Sequence, residues 1–112
     1  MDKDYIPARG DIVWLNFNPQ AGHEQSGKRP ALVISPIEYN KVVGWALFCP
    51  ITSVIKNYPF EVAVPINSFV KGAILSDQIK SLDWKIRNAT FISHLNDSTT
   101  NEVLQKLNTL TK

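Results

Sequence analysis

From Asp11 to Phe17 the chain alternates, with Ile12, Trp14 and Asn16 on one side and Val13, Leu15 and Phe17 on the other. Apolar residues on both faces predict a strand buried from two sides and place Trp14 in the core. Ala31–Ser35 (ALVIS) and Trp45–Cys49 (WALFC) are short β-rich runs bounded by proline or glycine. Phe60–Val64 alternates cleanly, with Glu61 and Ala63 opposing Phe60, Val62 and Val64. Ala73–Leu75 and Ala89–Ile92 are further short strand candidates. Many short strands separated by turn signals predict a small barrel or sandwich.

The period changes near the C-terminus. In DSTTNEVLQKLNTLTK, Val103, Leu104, Leu107 and Leu110 recur at helical spacing as one apolar stripe. Asp97 or Thr99 offers an N-cap, and Thr99-x-x-Glu102 matches a capping box. So short a helix is marginal alone in water and is expected to dock on the sheet. With no internal repeat, low-complexity tract or linker-like shift, residues 1–112 read as one domain, mostly β with a C-terminal α-helix.

Composition narrows the classes. A hydrophobic fraction of 44% with 20% charged residues excludes a disordered chain. A net charge of +2 is too small to argue for nucleic acid by itself. The single cysteine, Cys49, cannot form an internal disulfide and lies in the apolar run WALFCPI, which reads as a buried, inert thiol suited to a reducing cytosol. The N-terminal MDKDYIPARGD lacks an apolar targeting segment, and no window approaches transmembrane length. The sequons at Asn88 and Asn96 are then chance matches, and the expectation is a soluble cytoplasmic protein with no membrane association.

One loop carries chemistry. QAGHEQSGKRP, residues 20–30, sets His23, Glu24 and Gln25 between Gly22 and Gly27, then Lys28, Arg29 and Pro30. An imidazole, a carboxylate and a guanidinium thus sit close together between two predicted strands. His23, His94 and Cys49 show none of the usual ligand spacings, so neither a metal nor a cofactor is expected.

The series GDIVWLNFNPQAGHEQSGKRPALVISP, CPITS, YPFEV and LSDQIKSLDW resembles the MazF/PemK family of toxin endoribonucleases, MazF most closely, over about Tyr5–Thr90. The G-x-E-Q-x-G-x-R-P element falls on Gly22, Glu24, Gln25, Gly27, Arg29 and Pro30. The resemblance implies a small, strongly bent barrel of the Src-homology-3-like kind. It also implies a type II toxin that cuts single-stranded mRNA at specific sequences, without metal, leaving a 2′,3′-cyclic phosphate and a 5′-hydroxyl. By the same resemblance the family's arginine is Arg29, its threonine is Thr52 and its acidic residue is Glu24. A histidine of PemK-like members matches His23, and an aspartate matches Asp77. PemK-like members carry an arginine two residues before that aspartate, where this chain has Leu75, and the departure favours the arginine–threonine pair over an Asp77 mechanism.

Such cleavage needs a base for the 2′-hydroxyl proton, a donor to the leaving oxygen and a cation for the developing charge. Glu24 or His23 suits the base. Arg29 offers a planar fork of donors to phosphate, and Thr52 a hydroxyl. Gln25, Lys28, Lys56, Lys80, Lys85 and Arg87 are candidates for an RNA groove, with Tyr58, Trp45 and Trp84 as stacking faces and Asp77 and Gln78 beside them. Asp77 also fits a turn cap around Ser76. The implied partners are RNA, a second copy in a homodimer, and a MazE-like antitoxin whose acidic disordered tail blocks the groove and which mediates autoregulation at DNA. Two rivals remain: a non-catalytic, gyrase-binding toxin of the CcdB kind, and a barrel that only binds RNA.

Overall fold

The computed structural model describes residues 4–17, 27–66 and 68–111. In chain order these form β1 (Asp11–Asn16), β2 (Lys28–Val33), α1 (Ile37–Val43), β3 (Trp45–Thr52), β4 (Glu61–Ala63), β5 (Ala73–Leu75), β6 (Lys80–Asp83), β7 (Thr90–His94) and α2 (Asp97–Thr111). The strands run antiparallel in the order β4-β5-β3-β2-β1-β7, with β6 also on β3. One edge of β3 therefore serves two partners: Trp45 to Phe48 pair with β6, and Ile51 and Thr52 with β5. A register shift at Ile12/Val13 bends β1 against β7. β4 and β7 end the sheet without pairing to each other, so the expected barrel is bent but open.

Two cores lie on opposite faces, as the two-sided alternation of β1 requires. Ile12, Leu32, Cys49, Ile51, Val62 and Ile74 pack on one side, closed by Val103 and Leu107 of α2. Val13, Leu15, Ala31, Val33, Phe48 and Trp84 pack on the other. Trp14 departs from expectation: it is 39% exposed. It sits on the Ile12 side but two residues further along, flanked by Pro30 and Thr90, outside the cluster that α2 closes. Leu110 is likewise half exposed, so the apolar stripe of α2 ends at Leu107.

The helix starts earlier than the capping box suggested. Asn96, not Asp97 or Thr99, is the cap: its Oδ1 accepts the Thr99 N–H at 2.7 Å. The reason lies one residue back, where buried Leu95 donates its N–H to the Gly10 carbonyl at 2.7 Å and forces the turn at Asn96. α1 was not foreseen, although Pro36 opens it and Gly44 closes it at φ 82°. Its buried side chain, Asn40, is a polar hub. Asn40 Nδ2 donates to the Pro7 and Ser35 carbonyls at 2.7 and 3.0 Å, and its Oδ1 accepts the Ser35 hydroxyl. Its backbone carbonyl accepts Trp84 Nε1 at 3.1 Å, which ties α1 to the second core.

Two predictions follow from this packing. Asn40→Ala strips partners from buried polar groups and is expected to cost about 2–4 kcal/mol, read as a lower urea midpoint; a loss under ~0.5 kcal/mol would deny the hub its role. Burial, and secondarily the charge of Asp77, push the Cys49 thiol up to about 12. The folded state therefore favours the neutral thiol, and this contribution to stability is lost as pH rises from about 8.5, the unfolded value, toward the folded one. At pH 8 a disulfide-exchange reagent should label one thiol per chain in urea and none in the native protein.

Candidate active site

The β2–β3 register pairs Ala31 with Pro50. Carried two residues on, the same register sets Arg29 level with Thr52. Alternation puts both on the Ala31, Val33 and Phe48 side, at the rim of the second core. Arg29 is exposed and makes no ion pair among the described residues. A strand end holds its backbone while its charge stays available. The Thr52 hydroxyl accepts the Val54 N–H at 3.1 Å, so its own proton remains free to donate. This bond also turns the chain at the end of β3, as expected for a strand-terminating threonine.

Beyond Thr52, the Glu61 carboxylate gathers the loop. It accepts the N–H groups of Lys56 and Asn57 at 2.9 and 2.8 Å, and Asn57 takes φ 60° to allow it. The loop then presents Tyr58, whose hydroxyl donates to Asp77 Oδ1 at 2.6 Å. That hydrogen bond first, with the nearby Asp77 charge, pushes the Tyr58 phenol up to about 12. Asp77 thus anchors Tyr58 rather than capping the turn around Ser76. A cavity of 290 Å³ opens here, lined by Thr52, Val54, Lys56, Tyr58, Leu75 and Gln78. Leu75 gives it an apolar wall where PemK-like members carry an arginine, and the hollow has room for one unstacked base.

The structure therefore gathers Thr52, Lys56, Tyr58 and Gln78 around one hollow, with Asp77 bonded to Tyr58 and Arg29 across the sheet. Lys28 leads into Arg29 at the start of β2, opposite Asn16. Lys80 lies over the Phe17 ring at 6.0 Å and Lys85 over Trp84 at 5.4 Å. Arg87 is drawn elsewhere: its Nη1 donates to the Phe17 carbonyl at 2.9 Å and clamps the end of β1. Trp84 is 7% exposed and engaged with Asn40, so it offers no stacking face, whereas Trp45 is 45% exposed. His23, Glu24 and Gln25 lie outside the described residues; Phe17 and Gly27, which bracket them, are joined by an N–H to carbonyl bond of 2.8 Å. No cluster of three metal-ligating side chains occurs among the described residues.

Gly72 was missed in the sequence. It has φ 128°, and a Cβ there would lie 2.0 Å from the Thr52 carbonyl oxygen. The β4–β5 hairpin thus rests directly on the Thr52 backbone, and only glycine fits. A lysine–glycine pair before a short strand signals a turn but not what the turn touches.

The sequence matches the family described as "PemK-like, MazF-like toxin of type II toxin-antitoxin system" over residues 8–111. It is 45% identical over 86 residues, 77% of each chain, to the endoribonuclease toxin MazF of Escherichia coli K12. It is 33% identical over 107 residues, 91% of each chain, to the endoribonuclease EndoA of Bacillus subtilis 168. The crystal structure of MazF from Deinococcus radiodurans superposes with a TM-score of 0.87 at 50% identity, covering 96% of this chain and 98% of that one. A MazE–MazF structure from the same organism gives 0.86 at 44% identity, covering 96% and 97%.

Gly72→Ala should move the backbone amide resonances of Thr52 to Val54 and cost about 1–3 kcal/mol of stability. Gly44→Ala is the matched control, since Gly44 also has positive φ but nothing within 4 Å of a Cβ. It should be destabilising while leaving the Thr52 resonances in place; equal shifts in both variants would remove Gly72 from this role.

Proposed function

Because the chain belongs to the PemK-like, MazF-like toxins of type II toxin–antitoxin systems, we propose that it is an endoribonuclease cutting single-stranded RNA at the face shared by Arg29 and Thr52. The observation that carries this reading is the β2–β3 register, whose continuation brings Arg29 level with Thr52, a residue bordering the base-sized hollow. The substrate's own 2′-oxygen attacks the adjacent phosphorus. As the 2′-O–P bond forms, the P–O5′ bond breaks, giving a 2′,3′-cyclic phosphate and a 5′-hydroxyl. The 2′-proton passes to Glu24 or His23, and the departing 5′-oxygen takes up a proton from water.

Arg29 is always cationic and therefore acts through charge on the phosphate oxygens rather than as a proton donor. Its fork supplies charge stabilisation that in other nucleases comes from a metal ion, and on this ground we assign metal-independent chemistry. Thr52 donates a hydrogen bond to the same phosphate. Lys28 and Lys56 follow the strand on either side, and Gln78 reads the base held against Tyr58. With no helix among the described residues long and apolar enough to cross a membrane, we place the protein in the cytoplasm with its substrate. As partners we assign a second copy in a homodimer and a MazE-like antitoxin, whose acidic tail would meet the cations around the hollow.

The test is cleavage of long single-stranded RNA in excess EDTA. Wild type should give specific cuts with 5′-hydroxyl ends, and Arg29→Ala and Thr52→Val should each fall roughly a hundred- to a thousand-fold. Intact RNA with folded wild type across varied sequences would sink the reading. An acid-limb pKa in the pH–rate profile that persists in His23→Ala would remove His23 as the base and leave Glu24 in that role.

A further inference from the structure

A second hollow lies beyond Tyr58, and none of the roles given above uses it. It measures 410 Å³, and Ile55, Pro59, Ala63, Ala73 and Lys106 line it. Tyr58 and Glu61 border both this hollow and the one beside Thr52. Tyr58 is thus a wall common to two adjacent spaces, and it is held at both ends. Its hydroxyl is bonded to Asp77. Its backbone lies between Asn57, whose N–H bonds Glu61, and Pro59, whose carbonyl accepts Lys106 Nζ at 2.7 Å.

The chemistry of the second hollow is that of a base with a phosphate next to it. Its floor is apolar, from two alanines on neighbouring strands, an isoleucine and a proline. Its aromatic wall is immobilised before any ligand arrives, so ordering it costs little on binding. Lys106, on α2, spends one N–H on Pro59 and keeps two. The carboxylate shared by both linings, Glu61, is already satisfied by two backbone N–H groups.

We propose that this second hollow is a nucleotide subsite. The strand that reaches Thr52 through the first hollow bends around Tyr58, one base stacks against each face of the ring, and Lys106 holds the phosphate beyond. The inference rests on the RNA-cutting function proposed above and extends its footprint onto the C-terminal helix. Stacking on an aromatic face tolerates any base, so the second subsite adds affinity without adding sequence preference.

Binding is measured by fluorescence anisotropy with a fully 2′-O-methylated, hence uncut, oligonucleotide. It carries the mapped cut sequence, or is a random pool if no cut is found, and is trimmed one nucleotide at a time from each end. The proteins are wild type, Lys106→Gln and Ala63→Leu; the last fills the second hollow from the exposed face of β4. On the full-length oligonucleotide both variants should weaken binding about tenfold, the scale of one stacked base. Lys106→Gln should also lower the slope of log K against log salt by about 0.7, one phosphate contact on a single strand. Trimming past the second subsite should bring all three proteins to the same affinity. Unchanged midpoints and slopes on the full oligonucleotide would overturn the subsite and leave the hollow to a polypeptide partner. If wild type cuts RNA and the variants bind like it, the subsite alone fails. If wild type binds in a Lys106-dependent way but never cuts, the cutting function alone fails. Neither binding nor cutting would overturn both.

Discussion

A strand has only two hydrogen-bonding edges, and β3 gives one of them to two partners. Phe48 is the last β3 residue paired with β6, and Ile51 the first paired with β5. The chain between β5 and β6 must therefore leave the ladder and cross from one half of β3 to the other. Ser76, Asp77 and Gln78 are that crossing. The Ser76 N–H bonds the Phe60 carbonyl at 3.1 Å and its hydroxyl bonds the same oxygen, while the Gln78 N–H returns to Leu75 at 3.1 Å. Because the crossing is fixed by the ladder, Asp77 and Gln78 stand at a set height, level with Cys49 and Pro50 in the middle of β3, and Gln78 lines the hollow that Thr52 also borders. The candidate site forms where one edge of β3 passes from one partner strand to the other.

The two-sided core explains why the site lies where it does. Each face needs its own cover, and α2 supplies it only on the Ile12 side. The other face is closed by Trp84, whose Nε1 donates to the backbone carbonyl of buried Asn40. That cover does not reach the rim, so Arg29, Thr52 and Leu75 emerge along one edge of an otherwise apolar layer. A cation there stays hydrated enough to remain cheap and is positioned by strand geometry, with no carboxylate paired to it among the described residues.

Much of this was legible along the chain, for identifiable reasons. The alternation of Asp11–Phe17 carried β1 and both cores, because a period of two is a direct consequence of the pleat. The helical stripe located α2 for the same kind of reason. Trp14 and Leu110 were misread because periodicity tells which side a residue faces, not where the covering element stops. The cap fell on Asn96 because a tertiary bond at Leu95 set the turn, and no local signature records that bond. α1 was hidden in IEYNKVV by its β-branched residues, despite the proline before it and the glycine after it. The motif around Arg29 named candidate residues, but bringing Arg29 level with Thr52 depends on the β2–β3 register, a relation between segments some twenty residues apart. Gly72 and Lys106 carried no signal of their own, since each matters only through a backbone carbonyl it approaches.

The site is therefore assembled from backbone constraints more than from side-chain contacts. Thr52 is placed by the β5 ladder and by a glycine against its carbonyl, Tyr58 by a loop folded onto Glu61, and Arg29 by the register of β2. Among the described residues neither Thr52 nor Arg29 is tied to a carboxylate, whereas Tyr58 is, through Asp77 and the loop on Glu61. This matters for chemistry on phosphate, because a guanidinium already locked to a carboxylate would have to break that pair before meeting an anion. Positioning through the main chain leaves the charge uncommitted while limiting its freedom, and preorganised donors of this kind give the largest gains at a developing anionic transition state. The carboxylates near the hollow follow the same logic: Glu61 is occupied by two backbone N–H groups and Asp77 by a phenol, so neither competes with phosphate for the cations around it.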